Sequence, residues 1–208
     1  MSNNSLADAL FQQLQGAPLQ QISQQLGAGQ LQTSNAVGAA LPLLLGALGK
    51  NASQPGGAEA LFGALQNDHA GGLDLGGLLG AVLGGGAPSR QTNGEAILGH
   101  IFGASQPRAE ASLAQATGLG SDKTATLLKV LAPIVLSFLA QRFLSGQGGA
   151  QTNALGLGQI LGQERQVQQQ QGGLGGGLLG AVLDQDGDGQ LGLGDLLKIG
   201  GGLLGGRR

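Results

Sequence analysis

An apolar segment at residues 127–140, LLKVLAPIVLSFLA, constrains the fold more than any other feature of the chain. Wound as a helix, it is hydrophobic on nearly every face, and such a helix has to be surrounded by other elements. The segment contains Lys129 and is shorter than the ~20 residues that span a bilayer. We therefore expect a buried helix at the centre of an all-α body, and no membrane span.

The region around this segment occurs twice in the chain. Residues 22–42 align without a gap onto residues 113–133, and each copy reads as a short helix, a glycine turn and a long apolar helix. The aligned identities are Gln24 and Gln115, Gly27 and Gly118, Gly29 and Gly120, Thr33 and Thr124, Pro42 and Pro133, Leu45 and Leu136, and Leu48 and Leu139. The ungapped register favours a duplicated helix-turn-helix unit over shared composition. It also predicts that the two long helices pack together, each kinked or restarted at its proline.

Composition narrows the chemistry. The chain has no cysteine, which excludes disulfides, thiolate metal sites and a cysteine nucleophile. A net charge of −2 gives no long-range attraction to nucleic acid or anionic membranes. The N-terminus lacks the basic start and unbroken apolar run of a secretory signal, so we expect a cytoplasmic protein by default, with non-classical export left open.

Three regions follow from the changes in composition. Residues 5–144 predict the helical domain. Residues 145–173 are rich in Gly and Gln and predict a flexible linker with a short polar helix over 157–170. Residues 174–208 form a C-terminal tail that contains the densest run of aspartates in the chain.

The tail sequence LDQDGDGQLGLGDLL, residues 183–197, has the spacing of a calcium loop. An EF-hand-type loop places oxygen ligands at positions 1, 3, 5, 7, 9 and 12 and a glycine at position 6. Counting from Asp184, the metal ligands are Asp184, Asp186, Asp188, the carbonyl of Gln190 and Asp195, with Gly189 at the turn and a water at Gly192. Because all these donors are oxygens, we expect Ca²⁺ as the cofactor.

Asp195 departs from the EF-hand pattern, which has glutamate at that position. Its side chain is one methylene shorter, which predicts weaker binding or a preference for a smaller ion. The loop also resembles the dockerin-type calcium loop, where aspartate at the last position is normal; that resemblance implies metal binding, and not cohesin binding. The alternative is a polar turn, in which Asp and Gly are favoured anyway.

A related loop lies in the first half of the chain. Residues 65–79, LQNDHAGGLDLGGLL, are similar to residues 183–197. Gln66, Ala70 and Gly77 replace the ligands at the first, fifth and last positions, so we expect a structural loop with His69 on its surface.

The chain also carries a family resemblance. The segments ALPLLLGALGKNAS, QNDHAGG, AILGHIFG and LAPIVL occur in the order in which they are found in the YidB-like bacterial family, a domain of unknown function. The chain resembles this family over about residues 5–142. The resemblance implies a multihelical all-α fold and supplies no activity and no catalytic residue.

These features predict a non-enzymatic binding or scaffold protein with a calcium-responsive C-terminal loop. Its partner is an unknown protein or a second copy of the chain. An enzyme is the least supported class, because His100 has no serine or carboxylate nearby in sequence. Glu95, Glu110 and Asp122 are explained as solvated helix ends.

Two alternatives stay open. The segment QQISQQLGAGQLQTSNAVGAAL scans like a DNA-binding helix-turn-helix. Residues 34–49 contain no Lys or Arg, and Lys123 and Lys129 in the second copy add little, so we do not expect a nucleic-acid partner. In composition the chain also resembles harpin-type exported bacterial proteins, for which millimolar external calcium would load a weak site.

Overall fold

The computed structural model describes residues 5–68, 77, 80–81, 92–144 and 153–171. Within these residues the secondary structure is helical and no strand occurs, which confirms the all-α prediction. The helices are α1 (Leu6–Leu14), α2 (Ala17–Leu26), α3 (Gln30–Ala52), α4 (Gly57–Asp68), α5 (Gly94–Phe102), α6 (Gln106–Thr117), α7 (Ser121–Leu144) and α8 (Ala154–Gln171), with a 3-10 turn at Gly103–Ser105.

The two long helices, α3 and α7, form the centre of the body and pack against each other. Leu41, Leu44, Leu131 and Val135 are among their fully buried side chains. Each helix runs through its proline, so neither restarts there. The apolar character of both segments on nearly every face therefore corresponds to a position enclosed by the shorter helices.

α3 and α7 are long and apolar enough to cross a membrane when judged by length and hydropathy alone. Their most apolar windows are 67% and 72% buried inside the body. The expectation that the chain has no membrane span stays a prediction, as does its cytoplasmic location.

A glycine turn precedes each long helix. Gly27 ends α2 with φ 55°, and Gly118 ends α6 with φ 65°. These are left-handed conformations that glycine adopts without steric cost, and they end a helix by turning its last amides back onto its carbonyls. Accordingly, the Gly27 amide donates to the carbonyl of Gln24 and the Gly118 amide to that of Ala114.

Two hydrogen bonds join these turns crosswise. The side-chain amide of Gln32 in α3 donates to the carbonyl of Gly118, with Nε2 and O 2.9 Å apart. Lys123 Nζ in α7 donates to the carbonyl of Gly27 over 2.6 Å. In the alignment of residues 22–42 with 113–133, Gln32 stands opposite Lys123 and Gly27 opposite Gly118. Each segment therefore donates one side-chain hydrogen bond to the glycine carbonyl of the other segment.

α8 lies inside the region for which the sequence predicts a flexible Gly/Gln-rich linker. The helix expected over 157–170 is present and extends over Ala154–Gln171, where it packs along α3 and against α4. Leu157 and Leu161 are fully buried. For these residues a packed helix replaces the flexible linker, because two leucines four residues apart lie on one helical face and bury together.

Glu164 connects α8 to the start of α1. Its carboxylate is buried and accepts the amides of Leu6, at 2.9 Å, and Ala7, at 3.3 Å. The hydroxyl of Ser5 accepts the next amide, that of Asp8, at 3.1 Å. The first amides of a helix have no partner within the helix, so α1 relies on Ser5 and on a residue from the opposite end of the described chain for its cap.

Candidate functional site

A groove of about 630 Å³ lies between the end of α3, α4 and α5, with α7 at its base. Among the residues that the structure describes, the groove is lined by Leu48, Asn51, Gly57, Ala60, Leu61, Ala64, Asn93, Ala96, Ile97, His100, Ile101 and Leu136. Most of these residues are apolar or small, and the polar ones are two asparagines and one histidine. No carboxylate is among these lining residues. Apolar concave surfaces with a few polar groups are the usual form of binding sites.

Both ends of α5 are held by asparagines that line the groove. Asn51 Nδ2, at the end of α3, donates to the carbonyls of His100 at 3.0 Å and Ile101 at 2.8 Å. Asn93 Oδ1 accepts the amide of Ala96 at 3.1 Å and caps the start of the helix. Because helix ends leave amides and carbonyls without partners, these contacts fix α5 as one wall of the groove.

The start of α5 also lies directly on α7. A Cβ on Gly94 would overlap the carbonyl oxygen of Lys129, so the two backbones touch at a distance that only glycine permits. The Lys129 ammonium pairs with the carboxylate of Glu95 beside this contact. The wall formed by α5 and α7 is therefore fixed by the contact of the two backbones, and the Glu95 carboxylate beside this contact pairs with Lys129.

The residues considered for catalysis do not form an acid–base pair within the described part of the chain. His100 is exposed at the groove. Glu95 pairs with Lys129, and Glu110 accepts a hydrogen bond from the side-chain amide of Gln106 at 2.9 Å. Asp122 is exposed in the first turn of α7. Whether the protein is an enzyme is not tested by these contacts, and the non-enzymatic role stays a prediction.

The predicted calcium ligands lie outside the described residues. These are Asp184, Asp186, Asp188, Gln190 and Asp195, and the same holds for His69. Across residues 5–68, 77, 80–81, 92–144 and 153–171, no group of three or more His, Asp or Glu side chains is placed to hold a metal ion. The calcium site therefore stays a prediction from sequence spacing.

Sequence reasoning singled out His100 and missed the asparagines that fix the groove. Asn93 had a recognisable signal, because asparagine directly before a helical segment is a common N-cap. Asn51 gave no such signal, since it acts on the far end of a helix that is distant in sequence.

Comparison with known proteins places most of the chain in one match. Residues 8–142 match the model of a family described as bacterial protein of unknown function (DUF937). The match covers every described residue of the groove lining and ends before α8. No curated protein and no solved structure matches the chain.

Proposed function

Because the chain belongs to the bacterial DUF937 family, whose function is unknown, we propose a role from its own residues: a non-enzymatic binding or scaffold protein with a calcium-responsive C-terminal loop. The groove between α4 and α5 carries the binding role, because it combines an apolar lining with fixed walls. Its partner is an unidentified protein or a second copy of the chain.

We further propose that the body arose from a duplicated helical unit. Every buried residue of α3 except Gly46 stands opposite a buried residue of α7 in the register that aligns 22–42 with 113–133. When the alignment is extended toward the N-terminus, α1 is aligned with α5 and α2 is aligned with α6. The crosswise bonds from Gln32 and Lys123 add a reciprocal contact, which is what two copies related by an approximate twofold axis make.

The calcium part of the proposal rests on the spacing of the aspartates. Without metal, the four carboxylates from Asp184 to Asp195 repel one another at close range. Calcium neutralises that repulsion and orders the loop. The leucines within and after the loop, Leu191, Leu193, Leu196 and Leu197, then dock on the body or on a partner.

The helix-turn-helix alternative has less support than the binding role. In a DNA-binding unit of this kind the second helix enters the major groove. α3 is largely enclosed from Ala36 to Ala52, where Gly38 and Lys50 are exposed, and its first turns, which include the exposed Leu31, face outward. The harpin-like alternative rests on composition alone and gains no support from the groove.

Calorimetric titration of calcium and magnesium into the metal-stripped full chain tests the calcium part. We expect heat from calcium with the natural sequence and none with Asp184→Ala, Asp188→Ala, because two of the four carboxylates are lost. A matched control, Asp68→Ala, Asp74→Ala, changes the related segment 65–79, which lacks the other ligands and begins within α4, and calcium binding is retained. Absence of heat, with unchanged NMR shifts at millimolar calcium, reduces the aspartate segment to a turn.

A further inference from the structure

α8 packs along α3 and runs in the opposite direction. A Cβ on Gly158, near the start of α8, would lie 3.5 Å from the Cβ of Ala58, which follows α3 in the chain. Three residues later, the backbone of Leu161 meets Gly49 in the last turns of α3. As α8 proceeds toward its C-terminus, it therefore passes the residues of α3 in descending order.

The face of α3 that α8 covers at Gly49 continues to Gly38. The two glycines are eleven residues apart, which is about three helical turns, so they lie on the same side of α3. They are separated by about 16 Å along the helix axis, and the ten residues from Leu161 to the end of α8 at Gln171 span about 15 Å. α8 therefore ends level with Gly38.

A recess of about 480 Å³ lies at Gly38, between α1, α3 and α6. Its described lining combines the ring of Phe11 with the small residues Gly38, Ala39 and Ala116 and with three uncharged polar residues of α3 and α6. A Cβ on Gly38 would be 3.8 Å from Phe11 Cε2, so the ring lies beside the glycine. Small residues around one aromatic ring form a surface that accepts a bulky apolar side chain.

The chain that follows α8 matches this recess in chemistry and in reach. Residues 172–183, GGLGGGLLGAVL, contain no polar or charged side chain, and their bulky side chains are leucines and one valine. Leu174 follows Gln171 by three residues, which span at most about 11 Å. The recess extends from Gly38 to Ser34, about 6 Å farther along α3. Leu174 can therefore reach it.

The glycine content of residues 172–183 adds a second argument. A segment with so many glycines does not form a helix by itself and is predicted to order only against a packing partner. The described lining of the recess comes from α1, α3 and α6. Residues 69–91 instead join α4 to α5, which contribute nothing to that lining.

We propose that the recess binds residues 172–183 of the same chain and that Leu174 is the side chain that enters it, against Phe11 and Ala116. Because this segment is tethered at the end of α8, its effective concentration at the recess is on the order of millimolar or higher. That concentration favours it over a separate protein or a second copy. The docking goes beyond the binding and calcium roles proposed above, requires neither, and holds Asp184 close to the body.

Hydrogen exchange of the full-length protein, measured without calcium, tests the docking. We expect the amides of residues 174–179 to exchange at least about tenfold more slowly than in an unstructured chain. Ala116→Arg fills the recess and removes this protection, as does Leu174→Ala. Ala111→Arg, at an exposed position of α6 outside the described lining, and Leu203→Ala, farther along the tail, are the matched controls and retain it. Circular dichroism verifies that the variants are folded.

The absence of cysteine from the chain permits a direct test of the contact. In Ala116→Cys, Leu174→Cys we expect an intramolecular disulfide under mild oxidation, because a disulfide requires Cα atoms within roughly 7 Å of each other. Mass spectrometry and non-reducing gels measure its rate. We expect that rate to be at least about tenfold higher than in the control pair Ala111→Cys, Leu174→Cys.

Four outcomes would overturn the proposal. They are unprotected amides at residues 174–179, protection that survives Ala116→Arg, equal disulfide rates for the two cysteine pairs, and a mainly intermolecular disulfide, which assigns the recess to a second copy. Protection that Ala116→Arg removes from residues 2–4 instead assigns the recess to the N-terminus and also overturns it. Because both measurements are made without calcium, a calcium titration without heat leaves this docking standing.

Discussion

Gly49 and Gly94 stand at places where helices that are distant in the sequence approach each other by their backbones. A Cβ on Gly49 would meet the Leu161 oxygen of α8, and one on Gly94 would overlap the Lys129 oxygen of α7. Gly99, by contrast, lies in α5 with open space where its Cβ would be. In this glycine-rich chain, the role of a glycine therefore depends on what lies across from it, and these contacts differ from the turn positions Gly27 and Gly118.

Gly49→Ala and Gly99→Ala are predicted to change stability in opposite directions. Gly49→Ala pushes α8 away from α3 and lowers the free energy of unfolding by about 1–3 kcal/mol, as overpacking of a core does. In Gly99→Ala the new Cβ contacts no other atom, and the free energy of unfolding rises by about 0.4–1 kcal/mol. The reason is that alanine lowers the conformational entropy of the unfolded chain. Urea unfolding measures both. Equal stabilisation by the two substitutions would mean that α8 does not lie on Gly49.

The sequence predicted the glycines that form turns before the long helices. It could not predict the glycines at which two helix backbones touch. Gly27 and Gly118 each precede a long apolar segment, so a local pattern identifies them. Gly49 and Gly94 are required by residues on other helices. A single sequence contains no signal for such a requirement until the packing is known.

At the scale of elements, α8 is the helix that local sequence describes least well. Its glycines and glutamines predict flexibility, since glycine lowers helix stability by about 1 kcal/mol per residue. Tertiary packing stabilises α8 despite its low helix propensity. The packing consists of the buried Leu157 and Leu161 and of the hydrogen bonds from α1 to the Glu164 carboxylate. α1 and α8 therefore stabilise each other, although they come from opposite ends of the described chain.

Glu164→Ala is predicted to loosen both helices together. The amides of Leu6 and Ala7 lose their acceptor in a buried place, which costs about 1–3 kcal/mol. Hydrogen exchange is expected to accelerate at the start of α1 and along α8, and to stay slow in the centre of α7. Gln166→Ala, at an exposed position of the same helix, is the control and leaves these rates unchanged. Faster exchange confined to α8 would show that α1 does not depend on the carboxylate.

For the whole molecule, the hydrophobic pattern predicted the class of fold and its centre, but not the site. Segments that are apolar on every face have to be enclosed, so the packing of α3 on α7 followed from 36–49 and 127–140 alone. The groove is formed by the ends of α3, α4 and α5, and its shape depends on how closely those helices approach. That distance is set by contacts such as Gly94 on Lys129, which the sequence does not reveal.

The crosswise contact between the glycine turns predicts that two side chains can be exchanged. In Gln32→Lys, Lys123→Gln, each position still carries a donor for the opposite glycine carbonyl, so the free energy of unfolding stays within about 0.5 kcal/mol of the natural protein. Gln32→Ala, Lys123→Ala removes both donors and lowers it by roughly 1–2 kcal/mol. Urea unfolding of the two double variants measures both changes in the free energy of unfolding. If the exchange is as destabilising as the alanines, the two turns are not equivalent.

The bond between Glu164 and the start of α1 also determines when the protein can finish folding during its synthesis. The two residues are 158 positions apart in the chain, from Leu6 to Glu164. At roughly 5–20 residues per second, a ribosome needs roughly 8–30 s to make that stretch. Throughout this time the amides of Leu6 and Ala7 lack the Glu164 carboxylate, and α3 lacks the helix that covers it. The nascent body therefore exposes the face of α3 that α8 later covers, and this is the interval in which a chaperone has a surface to bind.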